Sequence, residues 1–372
     1  MNFLKHIIFI FLLGICFSTG CSKEGHPIKL GLSLNLSGYS GASAENIKAG
    51  ALLAVEAINR RGGINGRPLK LIIRDDKNTK EGILKADKSL IEAGCPVIIG
   101  HNNSQNTFIA YPLVTSHKRI LFTAYSATTR LSGKDDLFFR TSVDNSLFGK
   151  AFGRLFKDEG IGSIVFLLDV SNPTFSEDLR EEVSKNFDGR ISTVRINSRT
   201  GIDWDRTVER LMATRAEAVV MVTEGISTGI AAQKLKLKGY NGRYFATLWA
   251  HGPSLIAYGS KAVEGMEIVT FLKPEYDNSM FREFSYEILR EFSLRPSPKA
   301  ARAYEALFIL ADAMQRCVPS PEDVMCIKRH LVSDSYNFLL GPVRFDKFGD
   351  VLRPIYDVQV KNQKFVLKRR LL

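Results

Sequence analysis

Metal and redox chemistry have little to work with in this chain. Its five cysteines and six histidines make no CxxC pair, no Cys/His ligand spacing and no HExxH motif. A serine nucleophile also lacks its setting, because no GxSxG elbow is present. Only His101 and His251 fall at expected strand ends. A Ser104–His101 or Ser104–His251 pair finds no third member, so the residues argue against an enzyme. The glycine-rich stretch 36–41 has neither the lysine of a P-loop nor a full GxGxxG, which argues against a nucleotide. There is no low-complexity tract and no short repeat. Beyond the first twenty residues there is no long apolar run, so nothing else in the sequence reads as a membrane span.

Charge is unbalanced but unfocused. Lysine and arginine number 51 against 39 acidic residues, a formal net charge of +12. The basic residues are scattered and not interleaved with aromatics, which speaks against nucleic acid as a partner. A basic exported protein working near anionic lipid or wall polymer accounts for the balance.

What is present begins at the N-terminus. Lys5 precedes an apolar run over 7–17, then Ser18, Thr19 and Gly20 lead into Cys21. That is a charged region, an apolar region and a small-residue cleavage site. The run is shorter than the roughly 20 residues of a span. A cysteine at the first mature position predicts a bacterial lipoprotein, with a signal peptide at 1–20 and a lipidated tether at 21–26 anchored through the Cys21 thiol. Ser18 stands where Leu is usual, so plain secretion and an uncleaved anchor are the alternatives. All three place the remaining chain outside the cytoplasm.

Roughly 350 mature residues exceed one ordinary core, so two domains are expected. In an oxidising compartment, Cys317 and Cys326, which flank VPSPEDVM, are candidates for a bridge; two buried free thiols are the alternative. Cys95 is then left to pack as a small apolar residue before a strand.

Strand and helix patterns alternate through most of the mature chain. Strands are expected at 28–34, 69–74, 97–99 and 120–122, with helices at 45–60, 80–93 and 104–115 between them. A second set follows, with helices at 147–157, 175–186, 204–213 and 228–238. Its strands fall at 163–168, 191–196, 218–222 and 243–245. Helices then dominate over 279–291, 299–316 and 321–331 before a β-rich tail, where 355–361 pairs with 364–367. This order predicts α/β lobes with parallel sheets covered on both faces.

Ligands of such sheets sit beyond the carboxyl ends of strands. The stretch VIIGHNNS (97–104) is a strand, a loop and a helix start. Ser104 takes the N-cap place, where its hydroxyl and nearby N–H groups suit a carboxylate; a helix cap that touches no ligand is the alternative. The stretch LFTAYSATT (121–129) supplies more hydroxyls beside it, and together the two loops make an anion cradle. Trp249 and Phe175 are candidates for an aromatic wall, although Trp249 in a lobe core is the alternative. Tyr39 and Tyr125 are further pocket candidates.

The chain resembles the type I periplasmic solute-binding proteins of ABC importers, in the branched-chain amino-acid (leucine/isoleucine/valine) receptor family. The resemblance rests on KAGALLAVEAIN (48–59) followed by GGINGR (62–67), on the two loops just named, and on AVEG (262–265) and AYEAL (303–307). The closing turn, Phe345-Asp346 with Gly349-Asp350, matches as well. It implies two Rossmann-like lobes joined by three crossover strands, with 27–145 and 275–345 in lobe one and 146–274 and 346–372 in lobe two. It implies that Ser104, Ser126 and Thr128 grip an α-carboxylate, and that Phe175 covers the ligand where a Tyr is frequent. Glu224 is the acid available for a ligand ammonium. The other acid position falls in LWAH (248–251) and carries no carboxylate, and Ser43 replaces an aromatic found in some members. The resemblance therefore implies a monomeric, cofactor-free binding protein that passes an amino acid or similar small carboxylate to an ABC permease. A regulatory lipoprotein on the same scaffold, reporting to an envelope partner, is the second reading.

Overall fold

The computed structural model describes residues 26–37, 41–274 and 278–372, and for 41–43 the backbone only. The leader, Cys21 and Tyr39 lie outside the described residues, as does the side chain of Ser43.

The first lobe opens with β1 (Ile28–Leu34), α1 (Gly41–Arg60), β2 (Leu69–Asp75), α2 (Lys80–Glu92), β3 (Val97–Gly100), α3 (Ser104–Ser116), β4 (Ile120–Thr123) and β5 (Phe138–Arg140). Its sheet runs β2-β1-β3-β4-β5 and every pairing is parallel. The strands are apolar because helices cover both faces, as parallel crossovers require.

The second lobe contains α4 (Asn145–Asp158), β6 (Ser163–Asp169), α5 (Pro173–Ser184), β7 (Arg190–Ile196), α6 (Trp204–Ala213), β8 (Ala218–Val222), α7 (Gly225–Leu237), β9 (Arg243–Thr247), α8 (Pro253–Gly259) and β10 (Glu267–Thr270). The chain then returns to the first lobe with α9 (Ser279–Phe292), α10 (Pro298–Gln315) and α11 (Val324–Ser333). A small antiparallel sheet follows, made of β11 (Ser335–Phe338), β12 (Gly341–Phe345) and β13 (Val351–Leu352). Strands β14 (Tyr356–Lys361) and β15 (Lys364–Arg370) complete the second sheet, whose order is β15-β14-β10-β9-β8-β6-β7. The chain thus crosses between lobes after β5, after β10 and after β13. Among the described residues, no helix is long and apolar enough to cross a membrane.

Helix α10 joins the first lobe's halves. Residues Ala303 to Leu310 are buried without exception, the pattern of a helix enclosed on all sides. It packs on α1 with the backbones in close approach. A Cβ on Gly50 would stand 2.2 Å from the carbonyl oxygen of Ala300, so only glycine fits there.

The chain's expected division at 345/346 falls inside the small sheet. Phe345 pairs with Val351 across the turn, and Arg353 forms a buried ion pair with Glu305 of α10. The tail therefore stays with the first lobe until it turns into β14. Cys317 and Cys326 are joined in a disulfide with Cα atoms 5.8 Å apart, which ties the end of α10 to the start of α11. His330 lies beside these sulfurs, but the bond between them removes both thiolates as metal ligands. Cys95 is a buried free thiol, and desolvation pushes its pKa up to about 11.

Candidate functional site

A cavity opens between the lobes where the carboxyl ends of the two parallel sheets face one another. Its wall is built from residues just past strand ends: Asn102 and Asn103 after β3, Tyr125 and Ala127 after β4, Ser171 and Asn172 after β6, Glu224 after β8 and Trp249 after β9. Phe148, Phe175, Leu179 and His251 add to it from the second lobe, and Lys299 and Arg302 from the start of α10.

The cleft is closed by hydrogen bonds between lobes. The Gln105 N–H, in the first turn of α3, donates to the Asn172 side-chain oxygen at 3.1 Å. Arg199 donates to Asn78 at 2.9 Å. Thr129 donates to Asp178 through its N–H at 2.9 Å and also through its hydroxyl. Asn145 in turn donates to Asp178 at 2.7 Å and to the Phe175 carbonyl at 3.0 Å. These bonds set the first turn of α5, and with it Phe175, against the cleft. The Phe175 and Trp249 rings meet edge to face, with centroids 5.6 Å apart, a favoured aromatic geometry. Trp249 thus lines the cavity and is half-buried.

The two-loop cradle differs from its expected form. Asn103, not Ser104, caps α3. Its backbone is extended and its side chain accepts from the Asn106 N–H at 2.8 Å, as an N-cap asparagine does. Ser104 is therefore the first helical residue, and its hydroxyl accepts from the Ala127 N–H at 3.1 Å. That bond fastens the second loop to α3. Thr128 accepts from the Arg130 N–H at 3.3 Å, and its carbonyl accepts from Arg140 at 2.7 Å. Ser104, Ser126 and Thr128 are fully buried. They are not among the residues lining the cavity, whereas their neighbours Asn103, Tyr125 and Ala127 are. The Ser126 hydroxyl has no partner among the described residues.

Both strand-end histidines are buried. His101 Nε2 lies 3.4 Å from Asp87 and 3.9 Å from Asp76, all three enclosed. Burial alone would lower its pKa, but the two carboxylates outweigh that and raise it. It is not hydrogen-bonded to Ser104. His251 bonds to the Thr270 hydroxyl at 3.3 Å and packs on the Phe365 ring. Burial, assisted by Arg302, pushes its pKa down to about 4, so it is neutral at pH 7.

Lys299 and Arg302 also line the cavity, and no motif in the sequence singled them out. Ser297 caps α10, accepting from the Ala300 N–H at 3.1 Å, and Pro298 opens the helix. Two cations three positions apart then share one face in the first turns. A cation at the positive end of a helix is unfavourable, and that conflict was the available sequence signal. Arg302 donates to the Ala124 carbonyl and lies over the rings of Tyr125 and Phe271, at 4.8 and 5.1 Å. The Tyr125 hydroxyl donates to the Lys299 carbonyl at 2.6 Å. Desolvation lowers the Lys299 pKa, Glu224 opposes that fall, and Arg302 adds to it.

Comparison with known proteins agrees with this architecture. A family model described as a periplasmic binding protein matches residues 27–364. The Leucine-, isoleucine-, valine-, threonine-, and alanine-binding protein of Pseudomonas aeruginosa is 22% identical over 340 residues, covering 89% of this chain and 88% of that protein. The crystal structure of a leucine binding protein from Thermotoga maritima superposes with a TM-score of 0.82 at 20% identity, covering 92% of this chain and 98% of that one. A solute binding protein of an ABC transporter from R. palustris, in complex with benzoate, superposes with a TM-score of 0.81 at 16% identity. That match covers 93% of this chain and 96% of that one.

Proposed function

The chain belongs to the periplasmic binding protein family, and from that premise we propose that it is a non-enzymatic, extracytoplasmic solute-binding lipoprotein. It captures an amino acid or similar small carboxylate between its lobes and delivers it to an ABC importer. The observation that carries this reading is the closed cleft. Aromatic, amide and charged side chains converge on it from the carboxyl ends of both sheets, and the bonds bridging it form only when the lobes meet. The similar proteins are named as binding proteins for branched-chain amino acids or occur in complex with benzoate, which supports a small carboxylated ligand.

A thermal-shift panel of amino acids and small carboxylates tests capture directly. A ligand present at about 100 times its Kd stabilises the folded chain by about 2.7 kcal/mol, a shift of several degrees. If no member of either class raised the melting temperature, solute capture would be wrong.

The anchor has its own test. With several acyl chains on the N-terminal cysteine, each buried CH₂ contributes about 0.8 kcal/mol to membrane attachment. Wild-type protein should fractionate with membranes, and Cys21→Ala should move it to the soluble fraction or leave it uncleaved. Mature wild-type protein with an unmodified Cys21 thiol would rule out lipidation.

A further inference from the structure

Among the described residues that line the cleft, cations outnumber carboxylates. Among those residues are Arg199, Lys299 and Arg302 against one carboxylate, Glu224, while His251 is neutral at pH 7. Lys299 and Arg302 also sit in the first turns of α10, where no acidic residue offsets the helix dipole. Their charges and the dipole add in one direction. Glu224 and Lys299 line the same cavity from opposite lobes, and their charges attract. The acid available for a ligand ammonium thus already faces a cation of the protein.

We propose that the ligand of this cleft is an organic acid without an ammonium group: a single carboxylate on an apolar or aromatic body. The proposal rests on the solute-capture reading and narrows it. The carboxylate meets the positive field set up by α10, and the body lies against Phe175 and Trp249. An α-ammonium in the same cavity would approach Lys299 and Arg302, and such juxtaposition of like charges is unfavourable. It would also have to draw Glu224 away from Lys299. Specificity here comes from repulsion of the wrong ligand as much as from attraction of the right one.

Matched pairs that differ only in the ammonium test this: 4-methylpentanoate against leucine, and 3-phenylpropanoate against phenylalanine. Each is titrated calorimetrically into the full mature chain. In at least one pair the acid should bind about 10- to 100-fold tighter than its amino acid. Lys299→Met should shrink that advantage at least about tenfold, because Glu224 then becomes available to an ammonium. Glu224→Gln should tighten binding of the acid, because it removes the carboxylate that competes with the ligand for Lys299, and circular dichroism of both variants shows whether the fold is kept. Equal or tighter binding of the amino acids by wild-type protein would overturn the inference and leave solute capture standing. Loss of acid binding in folded Glu224→Gln would also overturn it, since Glu224 would then contact the ligand directly. Failure of all four compounds, together with a blank thermal-shift panel, would bring down solute capture and this inference with it.

Discussion

Arg140→Met is expected to lower the stability of the folded chain by about 3–5 kcal/mol, the usual consequence of removing one partner from a buried ion pair. Arg140 is fully buried at the end of β5, where the chain leaves the first lobe. It pairs with Asp350 at 2.7 Å and Asp144 at 3.3 Å, and it donates to the Thr128 carbonyl and the Ser132 hydroxyl. Each partner has a further task. Asp144 caps α4, accepting from the Ser146 and Leu147 N–H groups. Asp350 accepts from the Gly133 N–H at 2.9 Å. Methionine fills much of the volume but leaves two carboxylates facing an apolar surface. Burial pushes Asp144 upward, and the Arg140 charge with the cap bonds holds it below the usual carboxylate range; that support goes with the guanidinium. Urea denaturation of wild type and variant at neutral pH measures the difference. A change below about 1 kcal/mol would mean that water reaches the cluster and screens it.

Trp249→Ala is expected to weaken ligand binding by roughly 70-fold. If about 100 Å² of the indole is covered by the ligand, the lost burial is about 2.5 kcal/mol at 25 cal/mol per Å², which converts to that factor. Calorimetric titration with whichever compound gives the largest thermal shift provides the measurement. Trp249→Phe should recover much of the loss, because a smaller ring still meets Phe175 edge to face. An unchanged Kd in Trp249→Ala would show that the ring packs against the lobe without touching the ligand.

Both expectations depend on features that were unevenly legible in the sequence. The two-lobe α/β order was readable because long parallel strands are continuously apolar and their helices carry one apolar stripe. Helix α6 over Trp204–Ala213 and strand β8 over Ala218–Val222 match the sequence reading at both ends. Strands β5 and β10 were not anticipated. They are only 3 and 4 residues long, too short to show a period, and their pairing is decided by the neighbouring strands. Strands β11, β12 and β13 fall in the β-rich tail that was expected, but their individual ends were not read.

The site divides along similar lines. Trp249, Phe175 and Glu224 were recognisable because each follows an apolar strand or opens a helix, and the structure brings all three to one cavity. The hydroxyls of Ser104 and Thr128 lie behind the cavity wall, on the two loops that line it, and accept from backbone N–H groups. Whether a hydroxyl meets a ligand or a backbone N–H depends on a neighbour 23 residues away, as Ala127 is from Ser104.

Local chemistry in the sequence therefore determined most of the elements, their parallel order and the family. Those properties follow from apolar periodicity, caps and short motifs that act over a few residues. Tertiary structure alone decided that Lys299 and Arg302, from the last third of the chain, line one cleft with Glu224. It also decided that Asn172 takes up an α3 N–H and that Arg140 joins the end of β5 to α4 and the closing turn. Such contacts arise from the chain's repeated crossings between lobes, and the charge balance of the cavity is the sum of residues that no local pattern connects.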